Sequence, residues 1–121
     1  MRELRIVIPT ADAERFRGAL ALAAAQAALG GAATIFLHLD AVALLHAPVA
    51  APRDAAHQMA GLPMLATLIG EALALDVALV ACQSGLALCG MTVADLPQGV
   101  TVGGPVAFLR DTDDAARLVI A

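Results

Sequence analysis

The stretch Val77-Ala78-Leu79-Val80-Ala81-Cys82-Gln83-Ser84-Gly85-Leu86-Ala87-Leu88-Cys89-Gly90 decides the fold. Val77 to Ala81 is a short, uninterrupted apolar run of the kind that forms a strand buried on both faces. Ser84 and Gly85 follow as turn or cap residues, and Leu86, Leu88 and Cys89 then fall at the spacing of a short helix. A buried strand running straight into a helix is the repeating joint of an α/β protein. Cys82 sits on that joint. At the first turn of a helix a thiol faces unpaired backbone N–H groups and the positive end of the helix dipole, which favour the reactive thiolate.

Working outward, the same alternation recurs. Leu4 to Pro9 reads as a strand, and Thr10 as the cap of a helix carrying Phe16, Leu20, Ala23 or Ala24, and Ala27 on one side. Gly30-Gly31 ends that helix, and Thr34 to Leu39 is a second strand. Asp40 is placed to cap one short turn through Ala41–Leu45. His46 to Ala60 is irregular, with Pro48 and Pro52, and reads as a surface loop with room for one helical turn. Leu62 to Leu75 reads as a helix with Pro63 near its first position. After the Cys82 helix, Thr92 and Asp95 have capping-box spacing, Val100 to Val102 is a fourth strand, and Gly103-Gly104-Pro105 opens a helix to about Asp113. Arg117 to Ala121 closes as a fifth strand. The whole of 1–121 thus reads as a single domain. It is α/β, flavodoxin-like and doubly wound, a mainly parallel five-stranded sheet with helices on both faces. In such sheets ligands and reactive groups gather at the carboxyl ends of the strands, and Cys82 occupies one.

Composition narrows the function. Apolar residues make up 60% of the 121 residues, 30 of them Ala, against the usual ~45–50%. Such an excess implies apolar surface buried between subunits, hence a homo-oligomer. The net charge is −4, and Lys, Trp and Tyr are absent. Phosphate neutralisation and base stacking both lack their usual residues, so no nucleic-acid partner is expected. Without Lys there is neither Schiff-base chemistry nor a P-loop. Arg2, Glu3 and Arg5 lead directly into Ile6-Val7-Ile8, so no secretory signal is read, and two free cysteines fit a cytoplasmic setting. Gly18 to Leu39 carries no charge, but Gln26, Gly30-Gly31 and His38 divide it into a helix, a turn and a strand, and no membrane span is expected.

Each chemically capable residue has a plainer alternative. Cys82 is either a nucleophile or a buried small hydrophobe. Cys89 is seven residues on, ~10.5 Å along a helix, whereas a disulfide needs Cα atoms within ~7 Å; it reads as packing. His38, His46 and His57 have no metal-site spacing, and no metal site is expected. His38 reads as structural, and His46 or His57 is a candidate proton shuttle for Cys82. Gly103-Gly104-Pro105 reads as a tight turn with Pro at the first helical position, and Asp111, Asp113 and Asp114 as a solvated helix end.

Taken together, these residues resemble the DsrE/DsrF-like family, which includes the TusD-type sulfur-relay subunits. The likeness lies in the strand ending in Cys82, Gly90 eight residues later, Thr92, Asp95-Leu96 and Gly99-Val100, with the Phe36-Leu37 strand leading into Asp40 and Leu44-Leu45 before them. The resemblance implies a small subunit that assembles as a trimer or hexamer. It also implies that Cys82 carries sulfane sulfur as a persulfide, with Gln83, Ser84 and Gly85 beside it. The activity would be that of a sulfur carrier or sulfurtransferase, with a small TusA-like carrier or a rhodanese as donor or acceptor and no cofactor. Two other readings stay open: a non-catalytic binding or assembly subunit with an inert Cys82, and a thiol peroxidase-like protein whose Cys82 forms a sulfenic acid.

Overall fold

The structure, a computed structural model, describes all residues from Met1 to Ala121. Five strands and five helices follow one another, with two helices between β2 and β3 and one in each other connection: β1 Leu4–Ile8, α1 Ala13–Ala28, β2 Ala33–Leu37, α2 Asp54–Met59, α3 Leu65–Ala74, β3 Ala78–Cys82, α4 Gln83–Leu88, β4 Thr101–Gly103, α5 Pro105–Arg110 and β5 Arg117–Ile120. Two tight 3-10 segments, Leu39–Leu45 and Val93–Asp95, follow β2 and α4. The strands form one sheet in the order β4-β3-β2-β1-β5, and every neighbouring pair is parallel. The first three crossovers step in one direction. The fourth returns past the whole sheet to lay β5 beside β1.

Side-chain alternation assigns the two faces. Ile6 and Ile8 point one way and share their layer with Ile35, Leu37 and Leu79, under α1 and its neighbour α3. This face holds the main core, in which Phe16 and Leu20 of α1 are fully buried. Arg5 and Val7 point the other way, with Phe36 and Val80. There α5 alone provides cover: the Phe108 ring stacks on Phe36 at 5.0 Å between centroids, and the Arg5 guanidinium lies over the same ring at 4.3 Å. Arg5 Nη2 also donates to the Phe108 carbonyl at 2.9 Å. Helices therefore lie on both faces, as the alternation predicts, but one six-residue helix covers the second face thinly. Val106 and Leu109 of α5 and Leu118 and Ile120 of β5 stay exposed.

Several boundaries differ from the sequence expectation for local reasons. Asp12, not Thr10, caps α1, because its Oδ1 accepts from Arg15 N at 3.0 Å. Residue Leu39 bends out of β2 in a left-handed conformation, φ 49°, and His38, not Asp40, precedes the 3-10 segment. The helical turn within 46–60 is α2. Helix α3 starts at Leu65 rather than Leu62, because the Asp54 carboxylate takes the Leu65 N–H and Arg17 takes the Pro63 carbonyl. Strand β3 extends to Cys82, and α4 starts directly at Gln83, so Ser84 and Gly85 are helical rather than turn residues. The uncharged stretch from Gly18 becomes the rest of α1, a turn at Gly30 with φ 90°, and β2. No helix is long and apolar enough to cross a membrane.

Candidate functional site at the carboxyl edge of the sheet

Cys82 is the last residue of β3 and the N-cap of α4. Its place is set from both sides. In the sheet it is registered against Gly103 of β4. In the helix, Gly85 one turn on lies against the backbone of Leu39, so closely that a Cβ there would stand 2.8 Å from the Leu39 carbonyl carbon. The chain after β2 is thereby seated on α4, and the loops after β2 and β3 are locked together at the carboxyl edge. The thiol itself is 1% exposed and makes no capping hydrogen bond. Gln83 and Ser84, the next two residues, are exposed. The unpaired N–H groups of the first turn belong to this same short segment.

The other residues singled out in the sequence make contacts of their own. Cys89 caps the far end of α4, half-buried and packed against the core, and both cysteines are free. His46 has Nδ1 3.0 Å from its neighbour Ala47's carbonyl oxygen and Nε2 4.0 Å from Asp95 Oδ1. His57, on α2, places Nε2 2.9 Å from Glu14 Oε2. Neither imidazole hydrogen-bonds Cys82. His38 follows β2 with its ring 5.6 Å from that of Phe36. Gly104 and Pro105 form the cap and first residue of α5, and Asp113 Oδ1 closes a turn by accepting from Ala115 N and Ala116 N. Thr92 and Asp95 form the expected capping box, with Asp95 accepting from Thr92 N at 2.9 Å and the Thr92 side chain facing Asp95 N.

A polar cluster between α1 and α2 was not singled out from the sequence. Arg17 is almost wholly buried; it donates through Nη2 to Asp54 Oδ1 at 2.9 Å and through Nη1 to the Pro63 carbonyl at 2.8 Å. Asp54 also accepts from the backbone N–H groups of Ala51 and Leu65, each at 3.0 Å. Those two bonds, with Arg17 beside them, hold its carboxyl below the ordinary range. Glu14 is likewise lowered, first by its hydrogen bond to His57 and then by the nearby cationic groups. The only sequence signal was the i, i+3 pair Glu14 and Arg17; their partners on α2 are some 40 positions away and could not be matched to them.

Comparison with known proteins supports the fold. No family model matches the chain, and no curated protein does. Among solved structures, the ychN protein from E. coli is 20% identical, covers 100% of both chains and superposes with a TM-score of 0.81. A protein of unknown function from Methanobacterium thermoautotrophicum, MTH1491, is 16% identical, again over 100% of both chains, with a TM-score of 0.76. At these identities the likeness is one of fold, a flavodoxin-like α/β domain with a five-stranded parallel sheet.

Proposed function

We propose that this chain is a sulfur carrier of the DsrE/DsrF type, in which Cys82 accepts sulfane sulfur as a persulfide and passes it on. The observation that carries the reading is the address of Cys82: the carboxyl end of a central parallel strand, at the N-cap of α4, in a flavodoxin-like α/β fold. The chemistry balances without a cofactor. The Cys82 thiolate attacks the outer sulfur of a donor persulfide; the donor S–S bond breaks and the donor leaves as a thiolate. The product, Cys82–S–SH, ionises more readily than a thiol, and Cys82 stands at the N-cap of α4, whose first-turn N–H groups favour an anion. An acceptor thiolate then attacks the outer sulfur, and Cys82 leaves as the thiolate.

The same reading includes assembly. The exposed apolar side chains of α5 and β5 are of the kind a second subunit covers, in a trimer or a hexamer. Donor and acceptor would be protein thiols, a small TusA-like carrier or a rhodanese, and a TusD-type role in a relay belongs to this proposal.

One observation favours a second reading. A thiol 1% exposed does not meet a protein partner unless the carboxyl edge of the sheet opens locally. If it never does, Cys82 is a packing residue and the chain is a non-catalytic binding or assembly subunit. Incubation with a persulfide donor separates the two. A carrier gains 32 Da on Cys82 and loses it to an added thiol; an inert subunit gains nothing unless denatured.

A further inference from the structure

We propose a second site, independent of Cys82: a cleft between α1 and the 46–64 segment that takes a small neutral molecule, apolar over most of its surface, with the segment as its lid. None of the residues 46–64 is buried, and α2 adds none to the core. Only Val49 and Ala51 touch the core. The segment is instead clasped to α1 by polar contacts, Asp54 to Arg17 and His57 with Arg53 to Glu14. Segments held this way open at low free energy.

Beneath the lid lies a cleft of about 330 Å³, within the range of small-molecule sites. Its halves come from opposite sides. The lid supplies His57 and Leu62; α1 and α3 supply Gly18, Ala21 and Leu68, with Glu14 and Arg17 at the polar end. Opposite Gly18 the space is open, for no atom lies within 4 Å of where its Cβ would be.

The charges decide what fits. Two guanidinium groups, Arg17 and Arg53, and the His57 imidazole stand against two carboxylates, Glu14 and Asp54; the ionic groups are paired with one another, while the buried Arg17 Nε makes no hydrogen bond. A cationic or anionic ligand would therefore bring an uncompensated charge into a partly apolar cleft. A neutral molecule would not. Its apolar body suits Ala21, Leu62 and Leu68, and a hydroxyl suits the Glu14 end, where the ionised carboxylate accepts.

Cyclohexanol is the probe. Titrated into the ¹⁵N-labelled full chain, it is expected to give saturable amide shifts at Gly18, Ala21, His57, Leu62 and Leu68, and slower proteolysis within 46–64. Gly18→Leu fills the cleft from an open helix position and is expected to weaken binding by at least roughly tenfold without lowering Tm. Ala21→Leu, on the exposed face of α1, gives a second test of the same space. Shifts that never saturate, that lie elsewhere, or that persist in both variants overturn the proposal. So does sedimentation showing a second copy of the chain seated on Gly18 and Ala21.

Discussion

The α-carbon of Gly85 rests against the backbone carbonyl of Leu39, and this contact fixes α4 and hence Cys82 relative to the loop after β2. Leu39 is in a left-handed conformation, φ 49°, which turns its carbonyl toward the helix. The two backbones leave no room for a methyl group. Gly85→Ala is expected to destabilise the fold by ~1–3 kcal/mol, the range for overpacking a tight contact, read as a lower urea midpoint. It should also push α4 outward and speed native labelling of Cys82. An unchanged midpoint would show that the contact is loose.

The two thiols are expected to differ in reach. Cys82 is buried and Cys89 half-buried, so under native conditions a maleimide should modify Cys89 first and Cys82 more slowly, at the rate at which the carboxyl edge opens. Cys89→Ser should leave a single slow-reacting thiol. With α4 intact between them, oxidation should yield no Cys82–Cys89 disulfide by mass spectrometry.

The α1–α2 clasp makes stability depend on pH with a definite sign. Asp54 and Glu14 have folded pKa values below their ordinary 3.8 and 4.5. Between the folded and ordinary values the unfolded chain binds more protons, so stability rises with pH there. The contribution is complete above the ordinary values and disappears as pH falls through the folded ones. Urea midpoints measured between about pH 5 and pH 2 should drop, and Asp54→Asn should flatten that drop. At neutral pH the same substitution should cost ~1–3 kcal/mol, because the charged acceptor for Arg17, Ala51 and Leu65 is lost.

Phe108 is the residue that fastens α5 to the sheet. Its ring stacks on Phe36 and lies against the Arg5 guanidinium. Phe108→Ala is expected to cost ~3–5 kcal/mol in chemical denaturation and to release α5 locally, seen as faster amide exchange across Pro105–Arg110.

What the sequence disclosed follows from the range of the forces involved. The strands around Ile6, Ile35 and Leu79 and the alternation with helices were legible because apolar runs and glycine stops are local signals. Cys82 was legible as a strand-end residue for the same reason. The seating of α4 on the chain after β2 was not, since Leu39 meets Gly85 across 46 positions of sequence. The start of α3 was misplaced because a distant carboxylate, Asp54, claims the Leu65 N–H. The contact of His57 with Glu14 had no local signal either, since it spans 43 positions of sequence. The thin cover over the Arg5 face was hidden too, since Leu118 and Ile120 have the apolarity of covered strand residues whatever lies above them.

The central claim is that Cys82 carries sulfur, and intact-protein mass spectrometry after incubation with a persulfide donor tests it most directly. The account predicts a +32 Da species in the native wild-type protein and in Cys89→Ser, none in Cys82→Ser, and loss of the added mass on transfer to an acceptor thiol. A native wild type that gains no mass, or a Cys82→Ser variant that gains as much, would contradict it.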